Sequence, residues 1–300
     1  MMPLLQIRNL NLGLKRAGSS YALLHDVSFD IMPGEIYGLV GESGSGKSVT
    51  SLAVIGLLKK PLQVLGGEIN FRGKNLLALR RREMRAMRGR RIAMVFQEPM
   101  TALNPLATIG RQIAEMYVLH QAKNWSEAGQ LAVEALASVR VPNPERRAKD
   151  YPHQMSGGLR QRVMIAMALA CNPDLLIADE PTTALDVTVQ AEVLKLIREL
   201  CAERGTAVLF ISHDLGVIAE MCQRVGVMYA GCLVEENDTA ALFANPRHEY
   251  TRGLLGALPR MGSRLEHGRQ RLVDIDSVIE DRSTLTSRRF ITPRQDIAAQ

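Results

Sequence analysis

Gly41-Glu42-Ser43-Gly44-Ser45-Gly46-Lys47-Ser48 fits G-x-x-x-x-G-K-[ST], the pattern of a loop that cradles the phosphates of a nucleoside triphosphate. Its flanks decide how to read it. Glu35-Ile36-Tyr37-Gly38-Leu39-Val40 is a short, mostly apolar run with the character of a buried strand, and Val49 to Leu58 has that of a helix. A glycine-rich loop between a strand and a helix lets backbone N–H groups approach a polyphosphate, and the helix N-terminus adds favourable dipole potential. In that setting Lys47 reaches the β- and γ-phosphates, and the Ser48 hydroxyl faces Mg²⁺.

Working outward, 300 residues suffice for one large α/β domain with a small appendix. A content of 46% hydrophobic and 23% charged residues is that of an ordinary globular chain. Aromatics make up only 4%, too few for a surface that stacks on single-stranded bases. The net charge of +6 admits an anionic partner without choosing one, and much of it is local: Arg80, Arg81, Arg82, Arg85, Arg88, Arg90 and Arg91 form one cluster. Cys171, Cys201, Cys222 and Cys232 are scattered, without a C-x-x-C pair, which speaks against a zinc site or a disulfide framework and fits a reducing compartment. The N-terminal residues lack the apolar region of a signal peptide. The longest uncharged apolar stretch, Val163 to Cys171, is about half of what a spanning helix needs, so a soluble chain with a peripheral membrane role is expected.

Along the chain, Leu4 to Leu10 and Leu23 to Ile31 are short apolar runs separated by turn signals, which predicts a small strand-rich layer beside the nucleotide loop. Tyr21 falls in that layer, where its ring can stack on a base. Gly66-Gly67 suggests a turn before a strand ending at Phe71, and Leu76 to Arg88 a basic helix. Arg91 to Phe96 reads as a buried strand that delivers Gln97, whose amide oxygen can reach Mg²⁺ or an attacking water. From Thr108 to about Val141 the periodicity is helical, closed by Pro142-Asn143-Pro144. Ser156-Gly157-Gly158 then opens an apolar helix and forms a second anion-binding helix N-terminus. Leu175 to Ala178 is an apolar strand carrying Asp179 and Glu180 at its C-terminal end, where ligands of open α/β sheets gather. Asp179 suits Mg²⁺, and Glu180 can polarise a water aimed at the γ-phosphate. Ala207 to Ile211 is a further buried strand leading to His213, which can bond the γ-phosphate or that water. Val225 to Tyr229 and Cys232 to Glu235 form a terminal hairpin.

Taken together, these residues resemble the ATP-binding subunits of ABC transporters over roughly residues 3 to 260. The motifs stand in that family's order: Tyr21 as the adenine-stacking aromatic, Gly41 to Ser48 as Walker A, Gln97 as the Q-loop, Ser156-Gly157-Gly158 as the signature, Leu175 to Asp179 with Glu180 as Walker B, Ala184-Leu185-Asp186 as the D-loop, and His213 as the switch histidine. The stretches Gln97 to Pro105 and Ala178 to Asp186, with His248-Glu249-Tyr250-Thr251, look like the branch that imports dipeptides, oligopeptides, nickel and related solutes.

The resemblance implies an α/β fold: a P-loop NTPase (RecA-like) core with a small antiparallel β subdomain and a helical subdomain. Residues 1–260 would form the ATPase domain, with a helical insertion at about 100–160, and 261–300 a C-terminal extension expected to be partly disordered. It further implies ATP and Mg²⁺ as ligands. Nucleotide contacts would come from Tyr21, Gly41, Glu42, Ser43, Gly44, Ser45, Gly46, Lys47, Ser48, Val49, Ser156, Gly157, Gly158 and Asp186, and metal contacts from Ser48, Gln97 and Asp179. Catalysis would fall to Glu180, His213, Lys47 and Gln97. Implied partners are a second ATPase subunit, identical or not, two integral membrane permease subunits and, indirectly, a solute-binding protein, at the cytoplasmic face of the inner membrane.

Two departures from the family pattern stand out. Leu159 follows Ser-Gly-Gly where glutamine is commonest, and activity is expected to survive because Ser156 and Gly158 supply the phosphate contacts. Ser287 to Gln295 has the outline of that branch's iron–sulfur segment without a cysteine, so no iron–sulfur cluster is expected; stoichiometric iron and sulfide in purified protein would overturn this. Two other readings stay open on sequence alone. One is a soluble ABC ATPase acting on nucleic acid, which the Arg80 to Arg91 cluster invites, and the other a weakly hydrolysing regulatory partner subunit.

Overall fold

The computed structural model describes residues 2–16, 19–97, 102–183 and 185–257. The expected extension over 261–300, together with Glu98, Pro99 and Ala184 of the motifs, lies outside the described residues.

Two sheets carry the chain. β1 (Leu5–Arg16) pairs antiparallel with β2 (Ser19–Ile31) and with β4 (Leu62–Phe71), and the two-residue β5 (Lys74–Asn75) completes a sheet ordered β2-β1-β4-β5. The larger sheet is built from β3 (Ile36–Val40), β6 (Ile92–Val95), β7 (Leu175–Asp179), β8 (Ala207–Ser212), β9 (Arg224–Tyr229) and β10 (Cys232–Asp238), in the order β10-β9-β3-β8-β7-β6. Its strands pair parallel except for β10, which runs antiparallel to β9.

β3, β7 and β8 are buried at every position, as strands covered on both faces must be. Alternation along them sorts the core into two layers. Leu39, Ile177 and Leu209 point toward the antiparallel sheet, where they meet Leu5 and Ile7. Val40, Ala178 and Phe210 point the other way, into a layer with Val163, Val193 and Ile197. The helices there include α6 (Gly157–Leu169), α7 (Val187–Arg204), α8 (Leu215–Met221) and α9 (Thr239–Ala244). Between β6 and α6 lie α3 (Ile109–Gln121), α4 (Trp125–Ser138) and the single turn α5 (Pro144–Arg147).

Three local expectations are corrected. Gly66-Gly67 is not a turn but lies inside β4, where the pairing with β1 shifts between Arg8 and Asn11. Gly67 has φ +92° there, and a Cβ on it would stand 2.3 Å from the Asn9 carbonyl oxygen, so the glycine permits a bulge. The basic stretch 76–88 is not one helix: a 3₁₀ turn, Leu76–Ala78, precedes α2 (Arg81–Met87). The Asn75 carboxamide caps the turn, while Glu83 Oε2 accepts the Arg80 backbone N–H and starts the helix afresh. The helix behind the phosphate loop, α1 (Lys47–Val54), begins two residues before Val49 and ends before Gly56, whose φ of +64° stops it.

Candidate nucleotide site

The phosphate loop leaves β3 at Val40 and enters α1 at Lys47. Two glycines in it are dictated by space. A Cβ on Gly41 would meet the Met228 carbonyl oxygen at 2.1 Å, and one on Gly46, at φ +105°, would meet Leu24 Cδ2 at 2.4 Å. The loop is also bonded from outside, because the Gly231 N–H donates to the Ser45 carbonyl at 3.1 Å. Lys47 is 4% exposed, and its Nζ donates to the carbonyls of Gly41 and Glu42, both at 2.7 Å. Burial lowers its pKa, against the pull of Glu180, Asp179 and Glu42, which hold the ammonium charged.

Across the mouth of this loop stand the C-terminal ends of β6, β7 and β8. Ser48 Oγ donates to Asp179 Oδ1 at 3.0 Å. Asp179 is 7% exposed, and burial raises its pKa while the Ser48 hydroxyl and the Lys47 charge oppose the shift. Glu180 is held on both sides: its Oε2 accepts from Gln97 Nε2 at 2.9 Å, and its Oε1 lies 3.2 Å from His213 Nδ1. Its backbone is left-handed, φ +47°, a conformation that costs a residue with a Cβ on the order of 1 kcal/mol and that gathers at functional sites. Thr183 Oγ1 donates to Glu180 Oε2 at 3.0 Å and ties this carboxylate to the following loop.

Loop, Glu180 carboxylate, amide and imidazole line one open cleft of about 720 Å³, which takes in residues 41–44, 46–49, Gln97, Glu180 and His213. Three parts of the expected set, five residues in all, lie elsewhere. Tyr21 is not on the cleft wall: its side chain is 71% exposed, beyond a register shift between Ala22 and Leu24, and Leu23 and Leu24 line the cleft instead. Ser156, Gly157 and Gly158 form the N-terminus of α6, with Ser156 Oγ accepting the Leu159 N–H, and do not line this cleft. Asp186 caps α7, accepting the Val189 N–H at 3.0 Å. Those two helix starts touch each other, since a Cβ on Gly158 would meet Val189 Cγ1 at 2.7 Å.

The sequence reading missed Leu254 on the cleft wall and the Tyr250 hydroxyl against the loop backbone, both from α10 (Glu249–Gly256). No spacing signals either one, because each contact joins residues some two hundred positions apart. The arginine cluster is partly spent on the fold. Arg80 pairs with Glu83, Arg91 shares Asp174 with Arg72, and Arg88 caps the carbonyls of Ile55 and Gly56 at the end of α1.

Oxygen donors such as Ser48 and Asp179 suit a hard cation like Mg²⁺, which keeps several ligands from substrate phosphates and water. Among the described residues no group of three or more His, Cys, Asp or Glu side chains forms a metal site of its own.

The sequence matches the family described as ABC transporter over residues 24–183, and that described as Oligopeptide/dipeptide transporter, C-terminal region, over residues 234–279. It is 54% identical over 278 residues to a probable peptide ABC transporter ATP-binding protein of Sinorhizobium fredii, covering 92% of this chain and 82% of that one. It is 47% identical over 262 residues to the dipeptide transport ATP-binding protein DppD of Bacillus subtilis, covering 87% and 78% respectively. Among solved structures, a dimeric ATP-binding cassette in a post-hydrolysis state, bound to ADP and Pi, is similar with a TM-score of 0.69 and 29% identity, covering 78% of this chain and 98% of that one.

Proposed function

This chain belongs to the ABC transporter family as an ATP-binding, ATP-hydrolysing subunit, and we propose that it powers the uptake of peptides or similar small solutes. The observation that carries the ATPase chemistry is the placing of Glu180 between Gln97 and His213 at the mouth of the phosphate loop. Lys47 supplies a fixed positive charge to the β- and γ-phosphates, and Glu180, steadied by His213, accepts the proton of the attacking water. Positioning and charge stabilisation carry most of such a reaction, so the buried Lys47 has the largest electrostatic share among the side chains. Mg²⁺, when bound, neutralises charge developing on the phosphate oxygens, and Ser48 Oγ, the Asp179 carboxylate and the Gln97 amide oxygen are the protein groups that would hold it.

The chain has one phosphate loop and one Ser156-Gly157-Gly158 helix start, and the second does not line the cleft of the first. Two subunits therefore complete each site in the proposed arrangement, with ATP between the loop of one and Ser156 and Gly158 of the other. Asp186, beside the signature at the start of α7, then faces the same interface. Tyr21 stacks on adenine at the rim. The described helices include none long and apolar enough to cross a membrane, so translocation needs membrane components. Two integral permease subunits at the cytoplasmic face of the inner membrane, fed by a solute-binding protein, fill that role. Gln97 and the helices inserted at about 100–160 relay closure to them.

A reading without a nucleic acid partner is supported by Arg80, Arg88 and Arg91 of the arginine cluster, which have partners within the chain. An iron–sulfur centre has no thiolate set to bind it: of the four cysteines, Cys201 is buried with its pKa pushed up to about 12, and Cys222 is buried and shifted the same way. Glu180→Gln tests the reading. The variant is expected to bind ATP, to accumulate as an ATP-dependent dimer and to hydrolyse about 10²-fold or more slowly than wild type. Turnover near the wild-type rate would refute the role given to Glu180.

A further inference from the structure

The C-terminal helix α10 reaches the phosphate loop through one hydroxyl. The backbone N–H of Glu42 donates to Tyr250 Oη at 3.1 Å, across 208 positions of sequence. That N–H belongs to the peptide unit whose carbonyl, Gly41 C=O, accepts from Lys47 Nζ at 2.7 Å. Tyr250 and Lys47 thus grip opposite ends of one peptide plane at the entrance of the loop.

Tyr250 is itself fixed. It is fully buried, and its ring packs on Tyr229 with centroids 4.4 Å apart. Burial raises its pKa, so the hydroxyl stays neutral. The start of α10 is anchored by Glu235 on β10, a buried carboxylate whose two oxygens accept the N–H groups of Arg247 and His248 at 2.8 and 2.9 Å. His248 Nδ1 in turn accepts the Tyr250 N–H at 3.2 Å. One helical turn beyond Tyr250, on the same face, Leu254 reaches the wall of the nucleotide cleft.

We infer that α10 is a positioning element for the phosphate loop: Tyr250 holds the Gly41–Glu42 peptide plane in its binding orientation, Leu254 closes the cleft beside it, and this helix thereby sets ATP affinity. The inference rests on the reading of Gly41 to Ser48 as the ATP loop. Its physical basis is preorganisation. When Lys47 turns from the Gly41 carbonyl toward phosphate, the plane loses one of its two tethers, and Tyr250 is the one that stays. Without it, ATP must order the loop at the expense of binding free energy.

Tyr250→Phe isolates the hydroxyl, since the ring and its packing on Tyr229 are retained. Binding of a fluorescent ATP analogue to the full chain in the presence of Mg²⁺ is expected to weaken about three- to tenfold, the loss of roughly one hydrogen bond. KM for ATP should rise by the same factor with kcat within about twofold of wild type. Hydrogen exchange of a peptide spanning residues 40–46 should quicken in the nucleotide-free variant and recover with ATP. Unchanged affinity, unchanged exchange, or a fall in kcat at constant KM would each overturn the inference. Lys47→Ala, run alongside, separates the two levels. If it loses ATP binding while Tyr250→Phe keeps full affinity, only the role of α10 fails; if it binds like wild type, the reading of the loop fails as well.

Discussion

Asp179 ends β7 as a carboxylate bonded to Ser48 Oγ and facing a lysine that is buried too. Desolvation is the largest influence on both, raising the pKa of Asp179 and lowering that of Lys47, so each charged form is disfavoured by folding. For a carboxyl whose folded pKa lies above its unfolded one, the stabilising contribution is complete below the unfolded value and is lost as pH rises through the folded value. Above the folded value that loss is fully present. Asp179→Asn, which keeps an acceptor for Ser48 and removes the charge, should therefore raise the thermal midpoint of nucleotide-free protein at pH 7 while abolishing turnover. The gain should shrink as pH falls to the range where the wild-type carboxyl is protonated. A midpoint lowered at pH 7 would contradict burial as the dominant influence. Residues of this kind were legible in the sequence because each stands at the end of an apolar strand, and the parallel pairing of β6, β7 and β8 brings such ends together. Tyr250 was not legible: a buried aromatic on a short amphipathic helix has the same sequence signature whether its hydroxyl meets a loop or nothing at all.

Elements show where glycine has two readings. Gly158 suits a close approach of backbone to phosphate, yet within the chain it also gives room to Val189 on α7, 2.7 Å from where a Cβ would sit. Gly158→Ala should destabilise the fold by about 1–3 kcal/mol through overpacking. Val189→Ala should remove the clash, so denaturant unfolding of the double variant returns close to that of Val189→Ala alone. ATPase decides between the readings. If Gly158 serves phosphate, the double variant stays impaired despite its recovered stability; full recovery of turnover would reduce the signature glycine to a packing residue. The same double meaning misled the reading of Gly66-Gly67. Paired glycines between apolar runs fit a turn as well as a bulge, and what settled it was the Asn9 carbonyl of the neighbouring strand, on a part of the chain that no local pattern could place there. The 76–88 stretch failed for a related reason: its composition is helical throughout, but Asn75 starts a 3₁₀ turn that stops before Leu79, and Glu83 starts a new helix at Arg80.

For the molecule as a whole, the two-sheet arrangement was legible as a strand-rich layer beside a parallel core, but not what fastens the one to the other. Arg224 on β9 is one polar tie between them, beside the shared apolar layer. Its Nη1 donates to the Asp30 carbonyl on β2 at 3.2 Å and to Glu35 Oε1 at 3.1 Å, its Nη2 bonds Glu236 on β10, and its guanidinium lies over the Tyr37 ring at 5.4 Å. Glu35 and Glu236 are each only 9% exposed at the side chain, and Arg224 is the cation that both of them face. Attraction to Glu236 and Glu35 outweighs the burial of Arg224, whose pKa is raised. Removing the cation should cost far more than a surface ion pair is worth, because two carboxylates would remain desolvated and facing each other. Arg224→Met should lower unfolding stability by about 3 kcal/mol, read from urea titration, and adding Glu35→Gln and Glu236→Gln should restore a large part of it. Because β2 and the turn after β9 both border the nucleotide cleft, through Leu23, Leu24 and the Gly231 bond to Ser45, loosening this tie should also weaken ATP binding. The triple variant, with layers joined by neutral groups, should regain both properties together. Stability regained without affinity would mean that the guanidinium aligns the two sheets as well as neutralising the acids.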